Sequence, residues 1–123
     1  MNREWRSFLQ DRNAHFEGET FLGFADARRE AEAAANATVL AALSDHTLLR
    51  VRGVDAQNFL NSQLSNDTRR VDAVHSQLAA WCNAKGRIIT LVRIFKRGDE
   101  YYLLLSADLR ETVRERLQRY ILR

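Results

Sequence analysis

Two short polar groups in this chain carry residue types that can hold a ligand. Gln63-Leu64-Ser65-Asn66-Asp67 brings two amides, a hydroxyl and a carboxylate together where an apolar helical segment ends. Asn83-Ala84-Lys85-Gly86-Arg87 sets a glycine between two cations and runs straight into Ile88-Ile89-Thr90-Leu91-Val92-Arg93-Ile94-Phe95. A backbone must bend at such a glycine, and an anionic group can dock between the flanking charges. Each group also has a plain structural reading. Asparagine and aspartate end helices and build turns through their own side chains. Glycine supplies a positive φ, and cations keep an exposed turn soluble. The ligand reading of the second group gains from Arg93, because a charge in so apolar a run is costly unless it meets solvent, a partner or a ligand. Strand alternation puts Arg93 with Ile89 and Leu91, opposite Thr90. Arg93 and Thr90 therefore reach one pocket only if a bulge intervenes.

Other chemistries find no support. His15, His46 and His75 lie far apart, with no metal-ligand spacing among them or with Cys82. Cys82 falls among alternating apolar residues and reads as a buried small hydrophobe, with no base to make it a nucleophile. No P-loop, Gly-x-Gly-x-x-Gly or Gly-x-Ser-x-Gly occurs. Tyr101 and Tyr102 near Arg97 suit cross-strand packing as well as base stacking. The residues by themselves form no catalytic constellation and no metal site.

The elements that must position these groups follow from periodicity. Trp5 to Asn13 reads as a short helix followed by a loose arm. Asp26 to Ala37, rich in alanine, glutamate and arginine, reads as helix. Val39 to Leu43 and Leu48 to Arg52 read as two short strands, the second alternating and closed by Gly53. Asp55 is placed to cap a helix that presents Ala56, Phe59, Leu60 and Leu64 on one face. Gln77 to Cys82 is a strand whose Ala79 and Trp81 face one way and Leu78, Ala80 and Cys82 the other. Ile88 to Phe95, apolar on both faces, reads as a central strand covered on both sides. Arg97 to Glu100 is a hairpin turn, and Tyr101 to Leu105 is the next strand. Ser106 or Asp108 caps a last helix with Leu109, Val113, Leu117 and Ile121 in a stripe and Glu115 and Arg119 paired one turn apart. The expected fold is α+β, a mostly antiparallel sheet with helices on one face. The expected division is a helical arm or linker over 1–37 and a domain over 38–123.

Bulk properties set limits. With 123 residues and 46% hydrophobic content the chain supports one core. The net charge of +3 comes from 19 basic residues, nearly all arginine, against 16 acidic ones. It permits phosphate or polyanion contact without demanding it. No apolar run approaches the roughly 20 residues of a membrane span, and no signal-peptide h-region opens the chain. One cysteine leaves no intrachain disulfide and suits a reducing compartment, so the expected location is the cytoplasm. Proline is absent.

Taken with their spacing, these motifs resemble the YgfZ branch of the aminomethyltransferase (glycine-cleavage T-protein) superfamily. The resemblance runs from Leu48-Leu49-Arg50-Val51-Arg52-Gly53-Val54-Asp55-Ala56 through Phe59-Leu60-Asn61-Ser62-Gln63-Leu64-Ser65-Asn66-Asp67. It closes with Cys82-Asn83-Ala84-Lys85-Gly86-Arg87, the strand to Phe95, and the helix ending in Leu117-Gln118-Arg119-Tyr120-Ile121-Leu122-Arg123. The Cys-x-Ala-Lys-Gly-Arg pattern points to the YgfZ branch in particular. The resemblance implies the N-terminal part of a tetrahydrofolate-binding fold whose ligand channel more than one domain builds. It makes Gln63, Asn66, Asp67, Asn83, Lys85, Arg87 and Thr90 candidates for the ligand side, with no catalytic residue and no metal. T-proteins use an aspartate after the turn to transfer an aminomethyl carbon; that position is Thr90 here, and nothing acidic lies between Lys85 and Phe95. Classical aminomethyl transfer is therefore not expected. The YgfZ branch is linked to tRNA modification and iron-sulfur enzyme maintenance, which implies tRNA or iron-sulfur proteins as partners. Its Lys-Gly-Cys-x-(Thr/Ser)-Gly-Gln-Glu hallmark is absent, so the chain is expected to be a fragment that self-associates through an exposed apolar face. Two other readings are a non-catalytic RNA- or protein-interaction domain and a small subunit of a folate-linked amine oxidase complex.

Overall fold

Helix α1, Arg3–Gln10, begins where the sequence supplies a cap: the Asn2 side-chain oxygen accepts from the backbone N–H of Glu4 and Trp5. The computed structural model describes residues 2–121, which divide into two units, one ending at Ser44 and one beginning at Asp45. In the first unit α1 is followed by the hairpin of β1 (His15–Glu17) and β2 (Thr20–Gly23). Gly18 makes the turn with a φ of 57°. Phe16, Phe21 and Phe24 meet edge to face. Helix α2, Ala27–Asn36, is capped by Asp26, and Glu30 reaches back to the N–H groups of Phe24 and Ala25.

Two expectations fail in this unit. The segment read as a loose arm holds a hairpin, whose strands of three and four residues are too short to show a period. Residues 39–43 form no strand. Leu40 is 98% exposed, and an apolar run with nothing to pair against gains nothing by extending.

The second unit runs β3 (His46–Val51), α3 (Ala56–Gln63), a 3-10 turn over Thr68–Arg70, β4 (Gln77–Cys82), β5 (Ile88–Arg97), β6 (Glu100–Ser106) and α4 (Arg110–Gln118). The strands form one antiparallel sheet in the order β3-β6-β5-β4. Both helices cover one face of it. Ala56 and Leu60 from α3, Val113 and Leu117 from α4, and the inward residues of the strands make a single core. The α+β architecture expected from periodicity is the one observed.

Details differ from the sequence reading. Among the described residues of this unit no helix lies on the outer face of the sheet, so within the unit β5 is central but covered on one side only: Thr90, Val92 and Ile94 are buried, whereas Ile88, Leu91 and Arg93 are exposed. Cys82 lies toward that outer face and is half-buried rather than buried. Asp55 sits at the start of α3 without a capping hydrogen bond from its side chain. Neither Ser106 nor Asp108 caps α4, because a 3-10 turn over Ala107–Leu109 intervenes. Among the described residues the ion pairs on α4 join Glu111 to Arg114 at 2.8 Å and to Arg110 at 3.8 Å, and none joins the expected Glu115 and Arg119. No helix among the described residues is long and apolar enough to cross a membrane.

Candidate functional site

The two polar groups meet β4 from opposite sides. Leu64 forms an isolated bridge with Trp81, Ser65 donates its N–H to the Ala80 carbonyl at 2.9 Å, and the Ser65 hydroxyl accepts from the Ala80 N–H at 2.8 Å. The Asn66 amide donates to the Leu78 carbonyl, and Gln77 donates to the Asp67 carbonyl at 3.1 Å. The group after α3 thus lines the free side of β4. On the other side β4 pairs with β5, and Trp81 stands opposite Thr90. Leu64, Trp81 and Thr90 form one buried row.

Asn83 organises the turn that follows. Its side-chain oxygen accepts from the N–H of Lys85 at 2.9 Å and of Arg87 at 3.0 Å. Gly86 takes a φ of 75° and donates to the Asn83 carbonyl. Lys85 and Arg87 are thereby held on an exposed turn with their side chains in solvent. Gln63 precedes Leu64, so the antiparallel bridge to Trp81 sets it beside the Cys82 end of β4, and its amide donates only weakly to Ser62 at 3.4 Å. Asn66 and Asp67 run the other way. Five to six strand steps, roughly 17–20 Å, separate their neighbours on β4, Leu78 and Gln77, from Asn83 at the start of the turn. Gln63 is therefore the member of its group that approaches the turn.

Thr90 is 6% exposed on the helix-covered face, and its hydroxyl donates to the Leu91 carbonyl. Arg93 is exposed on the other face, bonded to the Ser76 hydroxyl at 3.3 Å. A register shift does occur in this hairpin, between Trp81 and Cys82, but it precedes both residues on β5 and leaves them on opposite faces. Asp67 holds Arg69 through paired contacts of 2.8 and 3.0 Å. The Arg69 side chain, with its backbone N–H, keeps the Asp67 carboxyl below its ordinary range. Among the described residues no group of three or more His, Cys, Asp and Glu is arranged to hold a metal.

A feature without a local sequence signal lies elsewhere in the same unit. A groove of about 380 Å³ runs beside β3, lined by Leu48 to Arg52, Phe59, Arg110, Arg114, Leu117, Gln118 and Ile121. It gathers four arginines, two from β3 and its end and two from α4. They are about 60 residues apart in sequence, so only the strand order brings them together. Arginine enrichment was the one signal in the sequence, and it pointed to no particular place.

No protein-family model matches the chain. It is 30% identical over 79 residues to an uncharacterized protein of Haemophilus influenzae, a match covering 63% of this chain and 28% of that one. It is 28% identical over 81 residues to the tRNA-modifying protein YgfZ of Escherichia fergusonii and of Escherichia coli O7:K1, covering 66% of this chain and 25% of theirs. Among solved structures it is similar to the glycine cleavage system aminomethyltransferase T of Bartonella henselae, with a TM-score of 0.58 and 19% identity, over 63% of this chain and 22% of that one. At that identity the likeness is one of fold. The chain spans about a quarter of the length of the curated relatives it matches. The resemblance to the YgfZ branch of the aminomethyltransferase superfamily, stated from the motifs, is borne out.

Proposed function

We propose that the unit from Asp45 onward is a tetrahydrofolate-binding module of a YgfZ-like protein, working in the cytoplasm in tRNA modification and iron-sulfur enzyme maintenance, and not an aminomethyl transferase. The observation that carries this reading is the row Leu64–Trp81–Thr90. It sets the two motif groups of the resemblance against the same strand, and it holds Thr90, the residue that the motif resemblance aligns with the transferase aspartate. A carboxylate orients or deprotonates the folate nitrogen in the transfer step; a threonine hydroxyl bonded to its neighbour's carbonyl does neither. What is left is binding. Lys85 and Arg87, held out by Asn83, supply charge for an anionic ligand end, and Gln63 supplies an amide near them.

The test is calorimetric titration of 5-formyltetrahydrofolate into the protein, with Trp81 emission followed in a Trp5→Phe background. Saturable binding that weakens at least tenfold in the doubly substituted Lys85→Glu, Arg87→Glu protein is the expected result. Absence of heat and of any Trp81 response at millimolar ligand would overturn the reading. A second reading, a protein-interaction domain, is favoured by the arginine groove beside β3.

A further inference from the structure

The groove beside β3 has a feature that a small-molecule cleft lacks. Five consecutive residues, Leu48 to Val51 of β3 and Arg52 just after it, line it. Successive strand residues point to opposite faces, so a groove on either face would be lined by every second residue. A consecutive run means that the groove follows the strand's edge. Among the described residues β3 is the end strand of its sheet, with β6 as its one strand partner. Alternate residues of β3 therefore turn N–H and C=O groups into the groove that pair with no other strand among the described residues.

Charge then selects the occupant. Arg50 is shared with Glu100 at 3.7 Å, and Arg110 and Arg114 share Glu111 at 3.8 and 2.8 Å. Arg52 has no ion pair among the described residues. Four arginines against two glutamates leave the edge positive. A second copy would bring another positive edge, with its own Arg50 and Arg52, against the first, which like charges on adjacent strands disfavour. An acidic strand would be drawn to the edge.

We propose that the free edge of β3 is a docking site for an extended acidic peptide segment of a partner protein, added as a fifth strand. Acidic side chains on its outer face meet Arg50 and Arg52. Alternate side chains on its inner face rest on the apolar floor of Phe59 and Leu117, within reach of Arg110 and Arg114. Backbone pairing supplies affinity, and the acid–apolar alternation supplies selectivity. The inference does not rest on the folate reading, since it uses none of the same residues.

The test is amide hydrogen exchange of the whole chain, read by NMR, with an acetylated heptapeptide alternating glutamate and valine. Exchange at alternate β3 amides should slow at least tenfold. Apparent affinity should fall at least tenfold in the doubly substituted Arg52→Glu, Arg110→Glu protein, whose two exposed positions leave the melting curve unchanged. The same peptide N-methylated at alternate amides should not bind. Several outcomes overturn the proposal. These are no slowing at millimolar peptide, equal binding of a lysine–valine heptapeptide, equal binding of the N-methylated peptide, or concentration-dependent protection of β3 without peptide, which would assign the edge to a second copy.

Discussion

Single residues in this chain mostly serve the backbone, and that decides how the candidate site is read. Asn83 spends its side-chain oxygen on two turn amides, Asn66 its amide on β4, and Asp67 its carboxylate on Arg69. Each has the chemistry of a ligand contact and a local partner already. Lys85 and Arg87 have none among the described residues, which makes them the residues to test first. Titration can be tested at this scale through Asp72. Its carboxylate accepts from the His75 ring and from the N–H groups of Val74 and His75. The His75 contact is the main reason its pKa is lowered to about 2. A depressed carboxylate adds stability above its ordinary pKa of about 3.9, and that stability is lost as pH falls through the folded value. The Asp72→Ala protein should therefore melt below the parent at pH 6, with the gap narrowing between about pH 4 and pH 2. A gap of the same size at pH 2 would show that the loop is held by something other than the ionised carboxylate.

Elements were legible where their period is long enough to repeat. The strands β4 and β5, the helix α3 and the face of α3 carrying Ala56, Leu60 and Leu64 are where alternation and 3.6-residue spacing put them. The hairpin β1–β2 was not legible, because strands of three and four residues offer no period to count. The caps at Asp55 and Ser106 were misread because side-chain capping depends on the local turn geometry as well as on residue type. The turn between β4 and β5 gives an element-scale prediction. A Cβ at Gly86 would meet nothing within 4 Å, yet its φ of 75° is one that other residues resist. Gly86→Ala should cost about 1 kcal/mol in chemical denaturation, through backbone strain alone. Gly86→Asn should recover part of the loss, since asparagine tolerates this region. A loss shared equally by both variants would place the cause outside the backbone.

At the scale of the whole molecule, coverage is what matters. The register sets Leu48, Leu104, Arg93 and Leu78 in one row across the face of the sheet away from α3 and α4, with Leu91 and Ile88 beyond. Leu78, Leu91 and Ile88 are each more than half exposed. Proposed self-association through this face predicts an apparent mass in sedimentation that rises with protein concentration and returns to the monomer value in the doubly substituted Ile88→Glu, Leu91→Glu protein. A parent protein that stays monomeric at the highest concentration would rule it out. By itself the sequence determined the helices and strands of the second unit, the inward faces of α3 and β4, and the family resemblance, because periodicity and motif spacing are relations between residues near each other along the chain. Only the tertiary structure decided that β5 is covered on one side, that Cys82 is half exposed, and that Arg50, Arg52, Arg110 and Arg114 share one groove. Those properties depend on which strand is last in the sheet and which face receives the helices, and both are set by pairings between distant segments.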